Sequence, residues 1–323
     1  MIIYKFLLFI LLSFYILLSK IQAQYIFISN ENSDTITVLN KDKKIIKTIN
    51  TGGRPRDMKF NHDYSILYTV VSEENHIAVI DTKSLEIIEY IKSGDDPEIF
   101  DISPDGKLIA VSNEDDNEIT IIDVKTRKKI TTIENVGVEP EGVNFSNDGK
   151  YIFVTSEGTN SIIIINTKKR EIVNEILVGN RPRRGVFIKN GNEYWVSNEL
   201  SGTVSVIDTN KFKVLKNINF SIKGIRQQNI TPVDFAYSSE LKKIFVTLGS
   251  ANHVAVVNSV NYNVEKYILA GTRVWGAALN NNGKELIVTN GNSDDISIID
   301  LERQISISSI PVGKTPHTVR VMK

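Results

Sequence analysis

The sequence has no cysteine. That excludes disulfides, a lipid-modified cysteine, covalent c-type haem and cysteine-ligated zinc or copper, so the fold rests on packing alone. It has no excess of either charge: lysine and arginine number 38, and aspartate and glutamate also number 38. This balance argues against the general attraction that nonspecific nucleic-acid binding needs. It has no nucleophile motif, no phosphate-binding glycine loop and no metalloprotease helix. The chain is 323 residues long and 41% hydrophobic, enough to bury a large core in one or two domains.

The first 23 residues stand apart. Lys5 precedes a nearly unbroken apolar run from Phe6 to Leu18, followed by "SKIQAQ" with Ala23 as a small residue suited to cleavage. This reads as a secretory signal peptide. The run is shorter than the roughly 20 apolar residues of a membrane span, so no stable membrane insertion is expected. Residues 1–23 are expected to be removed on export to the periplasm, leaving residues 24–323 as a nearly neutral single domain.

Internal repetition organises that domain. "TITVLN" ends at Asn40, "HIAVID" at Asp81, "EITIID" at Asp123, "SIIIIN" at Asn166, "TVSVID" at Asp208, "HVAVVN" at Asn258 and "DISIID" at Asp300. The intervals are 41, 42, 43, 42, 50 and 42 residues. Each unit holds four runs of β-type residues separated by turns, with no stretch of helical period. The expected fold class is all-β: a seven-bladed β-propeller with four-stranded blades. The chain after residue 23 starts with a second-type strand, "YIFIS", and ends with a first-type strand, "HTVRV". The ring is therefore expected to close by joining the C-terminal innermost strand to three N-terminal strands, hiding otherwise exposed edges.

Turn chemistry agrees. "SPDGK", "SNDGK" and "NNNGK" are Asx-Gly hairpin turns joining first to second strands. Pro55, Pro97, Pro140, Pro182, Pro232 and Pro316 share one repeat position ahead of the innermost strand, where a missing N–H donor costs nothing. The unit between Asp208 and Asn258 is longer by about eight residues, in "NFSIKGIRQQNITP", which reads equally as an insertion that surface loops allow at small entropic cost and as a contact loop for a partner protein or a lid over the funnel.

With the repeat goes a resemblance to the YVTN-type β-propeller proteins. Several stretches are closer still to the propeller proteins associated with pyrroloquinoline-quinone-dependent catabolism: "GDDPE", "GVEPEG", "TSEGTNS", "NRPR", "SGTVSVID", "LGSANHVAVVN" and "GTRVWG". The resemblance implies a periplasmic accessory protein of a quinoprotein oxidation pathway, with a quinoprotein dehydrogenase or other pathway protein as partner. It implies no catalytic residue and no cofactor.

Candidate site residues cluster on the proline face of the ring. The position after the repeat proline carries Arg56, Glu98, Glu141, Arg183, Val233, Trp275 and His317; the position before it carries Arg54, Asp96, Glu139, Arg181, Thr231, Arg273 and Thr315. A second, acidic ring follows the second strands at Glu31, Glu114, Glu157 and Glu199. Arg54, Arg56, Arg181, Arg183 and Arg273 can either pair with these acids or hold a small carboxylate or phosphate, with Trp275 stacking beside it. No metal site is expected: His76 and His253 fall several blades apart, His62 sits in a hairpin turn, and His317 is alone near the channel.

The expected function is a non-catalytic binding or scaffolding propeller using this charged funnel. A lactonase-like hydrolase at the channel is the enzymatic alternative. Single-stranded DNA binding is a third, disfavoured by the charge balance.

Overall fold

The computed structural model describes residues 24–322; the expected export segment lies outside them. Seven antiparallel four-stranded sheets form a ring. Blades 1 to 4 have the innermost strands Pro55–Phe60, Pro97–Ile102, Pro140–Phe145 and Pro182–Ile188, and blades 5 and 6 have Phe235–Ser238 and Val274–Leu279. Blade 7 closes the ring as expected: its innermost strand, Pro316–Val321, pairs with Ile26–Asn30, which continues into Thr35–Leu39 and Ile45–Asn50. No helix among the described residues is long and apolar enough to cross a membrane.

The core lies between blades, because each sheet is apolar on both faces of its middle strands. Phe153, Ile162 and Ile164 of blade 3 pack on Tyr194, Val196 and Ile207 of blade 4. Trp195 and Val206 of blade 4 pack on Phe235 and Val246 of blade 5. The longer connection into blade 5 joins the same cluster: Phe220 and Ile230 are buried, with Ile222 and Ile225 packed beside them, while Arg226, Gln227 and Gln228 stay exposed. Five of the six repeat prolines are the first residue of their innermost strand, whereas Pro232 lies three residues ahead of its strand.

A feature absent from the strand alternation controls the channel. In blade 1, Pro55 pairs with Val71 and Met58 with Thr69, so three inner-strand residues span two of the neighbour. The same one-residue bulge recurs in blades 2, 3, 4 and 6 and in the closing blade. A bulge re-aims side chains and interrupts the ladder. Here the residue after the proline lines one mouth of the channel, as Arg56 and Arg183 do; the next residue lines the other, as Asp57 and Arg184 do.

The bulge frees a backbone N–H, and a hydroxyl on the second strand collects it. Gly142 N–H donates to Thr155 Oγ1 at 2.7 Å, and Thr155 Oγ1 donates to the Arg183 carbonyl of the next blade at 2.5 Å. Ser29, Ser112, Ser197, Thr247 and Thr289 repeat this circuit. Six buried hydroxyls thus tie neighbouring blades together beside the channel. Thr155→Val removes both bonds at constant shape, orphaning a buried donor and a buried acceptor at about 1–3 kcal/mol each. Urea unfolding should register a loss of at least ~1 kcal/mol; an unchanged midpoint would contradict this role.

Candidate functional site

The upper mouth, on the proline face, is built of strained backbone. Arg54, Asp96, Glu139, Arg181, Arg273 and Thr315, each directly before the first innermost-strand residue, all have left-handed φ between 45° and 57°. The conformation costs an L-residue roughly 1–2 kcal/mol relative to its usual wells. It is held by an Asx carboxamide or carboxylate at the preceding turn: Arg181 N–H donates to Asn160 Oδ1 at 2.9 Å and Arg273 N–H to Asn252 Oδ1 at 2.8 Å. Glycine would take this geometry without strain. At five of these six positions a charged side chain stands there instead, at the rim of the channel.

Below the rim the two predicted rings interlock. Arg56 Nη1 lies 2.5 Å from Glu98 Oε1, and Arg54 reaches Glu31 at 3.4 Å and Asp96 at 3.6 Å. Arg183 contacts Glu157, Glu141 at 3.2 Å and Glu199 at 3.7 Å, while Arg181 Nε donates to Glu157 Oε2 at 2.6 Å. Arg56, Arg183, Glu98, Glu141 and Glu157 are all buried; Arg54, Arg181 and Arg273 keep about a third or more of their side chains exposed, at 33%, 42% and 33%. The fourth acid, Glu114, lies with Asp96 and Glu98 on one side and with Glu139 and Glu157 on the other. Glu139 is exposed.

Burial and neighbours split the central carboxyls. Burial drives Glu98 well above the usual carboxylate range, and the Glu141 charge adds to that against Arg56. Burial would also raise Glu141, but Arg183, Arg56 and Arg184 outweigh it and hold the group below its ordinary value. Burial thus disfavours the ionised form of Glu98, while the arginines favour the ionised form of Glu141.

The sector formed by blades 6 and 7 differs. Gly291 stands where other blades place the second-ring glutamate, and a Cβ there would lie 3.3 Å from the Trp275 ring; the indole occupies that space. Arg273 stacks over it at 4.6 Å, and His317 lies against it with ring centroids 5.1 Å apart. Among the described residues, Trp275 Nε1 and His317 Nε2 are both buried without a hydrogen-bond partner. His317 Nδ1 faces Arg184 Nη2 at 3.3 Å. Nδ1 also lies 3.1 Å from Thr318 Oγ1; guanidinium nitrogens only donate, so with Nδ1 accepting from Arg184 the proton of a neutral ring falls on Nε2. Two unpaired N–H donors thus belong to adjacent rings, with Arg273 over the indole. The recess beside the indole has a volume of about 260 Å³ and is lined by Arg54, Arg181, Arg183, Arg273, Glu199 and Trp275, among others; His317, fully buried, is not part of that lining.

His317 also sets a pH dependence. Burial, then Arg56, Arg184 and Arg183, push it well below 6.5. Below pH 6.5 the unfolded chain takes up a proton that folded His317 does not, so its contribution is fully present above 6.5 and is lost as pH falls. The slope is up to about 1.4 kcal/mol per pH unit. The stability difference between wild type and His317→Gln should shrink by that amount between about pH 6 and pH 5; a difference independent of pH would contradict a buried neutral ring.

The lower mouth holds residues that strand alternation hides. Lys59 pairs with Asp101 at 2.6 Å, Arg184 with Asp234 at 3.2 Å and Arg320 with Asp57 at 2.6 Å. All but Asp234, which directly precedes its strand, come from innermost strands, and each lies two or four positions after the proline.

Comparison with known proteins follows this geometry. Residues 103–323 match the family model described as the cytochrome D1 heme domain, and residues 18–146 match that of the YNCE-like β-propellers. None of the curated proteins compared matches the sequence. Among solved structures, the periplasmic gluconolactonase of Pseudomonas aeruginosa is 17% identical, with a TM-score of 0.79 over 94% of this chain and 99% of its own. A Bacteroides fragilis protein provisionally named a 6-phosphogluconolactonase gives the same values. The dihydro-heme d1 dehydrogenase NirN is 12% identical, with a TM-score of 0.68 over 92% of this chain and 74% of its own. At these identities the likeness is one of fold.

A haem does not fit the residues present. Axial ligation needs a free imidazole lone pair and space above the ring. Nδ1 of His317 faces Arg184, its Nε2 carries the proton, the residue is fully buried, and the recess beside Trp275 is walled by arginine–glutamate pairs. By the extent of the family match the chain belongs to the cytochrome D1 heme domain family, as a seven-bladed propeller whose channel is filled by its own ion pairs.

Proposed function

We propose that this protein is an exported, non-catalytic binding propeller that holds a small carboxylate- or phosphate-bearing molecule at the upper mouth, in the sector of Arg273, Trp275 and His317. The observation that carries this reading is the pair of N–H donors without a partner among the described residues, Trp275 Nε1 and His317 Nε2, on adjacent rings with Arg273 stacked over the indole. Buried donors without acceptors are costly, and an anion oxygen in the recess that Arg273 and Trp275 line would give the indole N–H an acceptor while Arg273 neutralises its charge. Deeper arginines are committed: Arg56 and Arg183 are buried against Glu98, Glu141 and Glu157. The rim arginines Arg54, Arg181 and Arg273 retain exposed surface for a guest. Export, and service to a quinoprotein oxidation pathway with a dehydrogenase as partner, are supported by the N-terminal apolar segment and the quoted motifs.

Calorimetric titration with gluconate and with 6-phosphogluconate tests this. Saturable binding that Arg273→Ala weakens at least about tenfold, the equivalent of ~1.4 kcal/mol, is the expected result; no binding of either would sink the proposal.

A second reading, a lactone hydrolase, is favoured by two carboxyls at the channel, Glu98 and Glu141, whose surroundings push them in opposite directions, an arrangement suited to acid–base work, and by the likeness to gluconolactonases. A pH-stat assay with glucono-δ-lactone separates the two. Turnover abolished in Glu98→Gln would establish the hydrolase.

A further inference from the structure

The opposite mouth of the channel is a second cavity of about 530 Å³, within the range of small-molecule sites. Its rim includes Asn61, His62 and Tyr64 of a first-to-second-strand turn, which puts it on the face away from the prolines. Arg184 lies between the two chambers, reaching His317 and Thr318 with one nitrogen and Asp234 with another.

Two polar atoms here are buried and have no hydrogen-bond partner among the described residues: Asp57 Oδ2, an acceptor, and Arg184 Nε, a donor. Their residues are 1% and 5% exposed, and both line the cavity. One orphan of each kind calls for a guest that donates and accepts, which is the property of a hydroxyl.

Charge decides against an anion. Each cation here already has its acid: Lys59 with Asp101, Arg184 with Asp234, Arg320 with Asp57. An anion would have to displace one of these carboxylates, whereas a neutral hydroxyl adds to the free valences and leaves every pair intact. Lys59 Nζ has donors to spare after its one hydrogen bond. Asn144, whose Oδ1 accepts from Tyr194, adds a carboxamide donor. The rest of the wall is aromatic: Phe60, Tyr64, Phe187 and Phe235 supply apolar surface for the C–H faces of a ring.

We infer that the lower mouth is a binding site for a neutral polyhydroxylated ligand of monosaccharide to disaccharide size, held by the Asp57–Arg320 and Arg184–Asp234 pairs between aromatic walls. It is separate from the anion site of the upper mouth and stands whether or not that site binds.

The test is saturation-transfer NMR followed by calorimetry on the full folded chain, using D-glucose, D-galactose, myo-inositol and sucrose as neutral probes and gluconate as the charged counterpart. The expected result is saturable binding of at least one neutral probe. Asp57→Asn, which removes the orphan carboxylate oxygen, should weaken it at least about tenfold, the equivalent of ~1.4 kcal/mol. Tyr64→Ala, at the lip, should weaken it severalfold and serves as the deciding variant if Asp57→Asn does not fold. Failure of every neutral probe to bind would overturn the inference. So would neutral binding left unchanged by Tyr64→Ala, or competition showing that gluconate occupies this mouth in preference to the sugars.

Discussion

Truncation after Thr315 should abolish cooperative folding. The segment removed carries the innermost strand of blade 7, in which His317, Thr318 and Val319 are fully buried, and which pairs with Ile26–Asn30. Its loss strips the inner edge of that blade and exposes a row of unpaired strand groups. It also breaks the Ser29 and Thr289 circuits on either side and the Arg320 contacts to Asp57 and the Met58 carbonyl in blade 1. A loss beyond about 5 kcal/mol, the lower end of a domain's total stability, follows. Thermal unfolding should show no cooperative transition, and a synthetic peptide of residues 316–323 should restore one. A truncated chain melting within a few degrees of full length would refute closure by this strand.

Arg183→Met should cost about 3–5 kcal/mol, because it leaves buried carboxylates without their cation. Arg183 is 5% exposed and contacts Glu141, Glu157 and Glu199. The cost arises from the acids left behind rather than from the worth of the pairs. Replacing Glu141 and Glu157 by methionine in the same chain should therefore recover most of the loss, since well-packed apolar groups often match buried ion pairs. Chemical denaturation of the single and triple variants measures this. A triple variant no more stable than the single one would contradict a channel filled by compensating charges.

Much of the fold was legible because its determinants are local. The alternating runs ending at Asp81, Asp123 and Asp208, the Asx-Gly turns and the repeat prolines each specify strand or turn within a few residues, and the phase of the termini implied the closing strand. The upper rings were legible for the same reason: Arg56, Glu98, Glu141 and Arg183 share one repeat position, and neighbouring blades bring them together.

The lower mouth was hidden by the bulge. Simple alternation from Pro55 or Pro182 turns Asp57 and Arg184 away from the channel, and one extra residue reverses that. A signal did exist in the recurrence of Ser29, Ser112, Thr155, Ser197, Thr247 and Thr289 at one position of otherwise apolar strands, since a buried hydroxyl requires a partner. The left-handed backbone at Arg54, Arg181 and Arg273 was equally unreadable, because glycine or asparagine is the residue expected there.

The chain's two tryptophans offer the most direct test of the upper-mouth site. Trp195 Nε1 donates to Glu193 Oε2 at 3.0 Å in the core, whereas Trp275 Nε1 has no acceptor among the described residues. In a nitrogen-15 correlation spectrum the two indole N–H signals can be followed separately as gluconate is added. The Trp275 signal should move downfield along a saturable curve while that of Trp195 stays in place. A Trp275 signal that does not respond to gluconate or 6-phosphogluconate, or that shifts no more than Trp195, would contradict anion binding at this mouth.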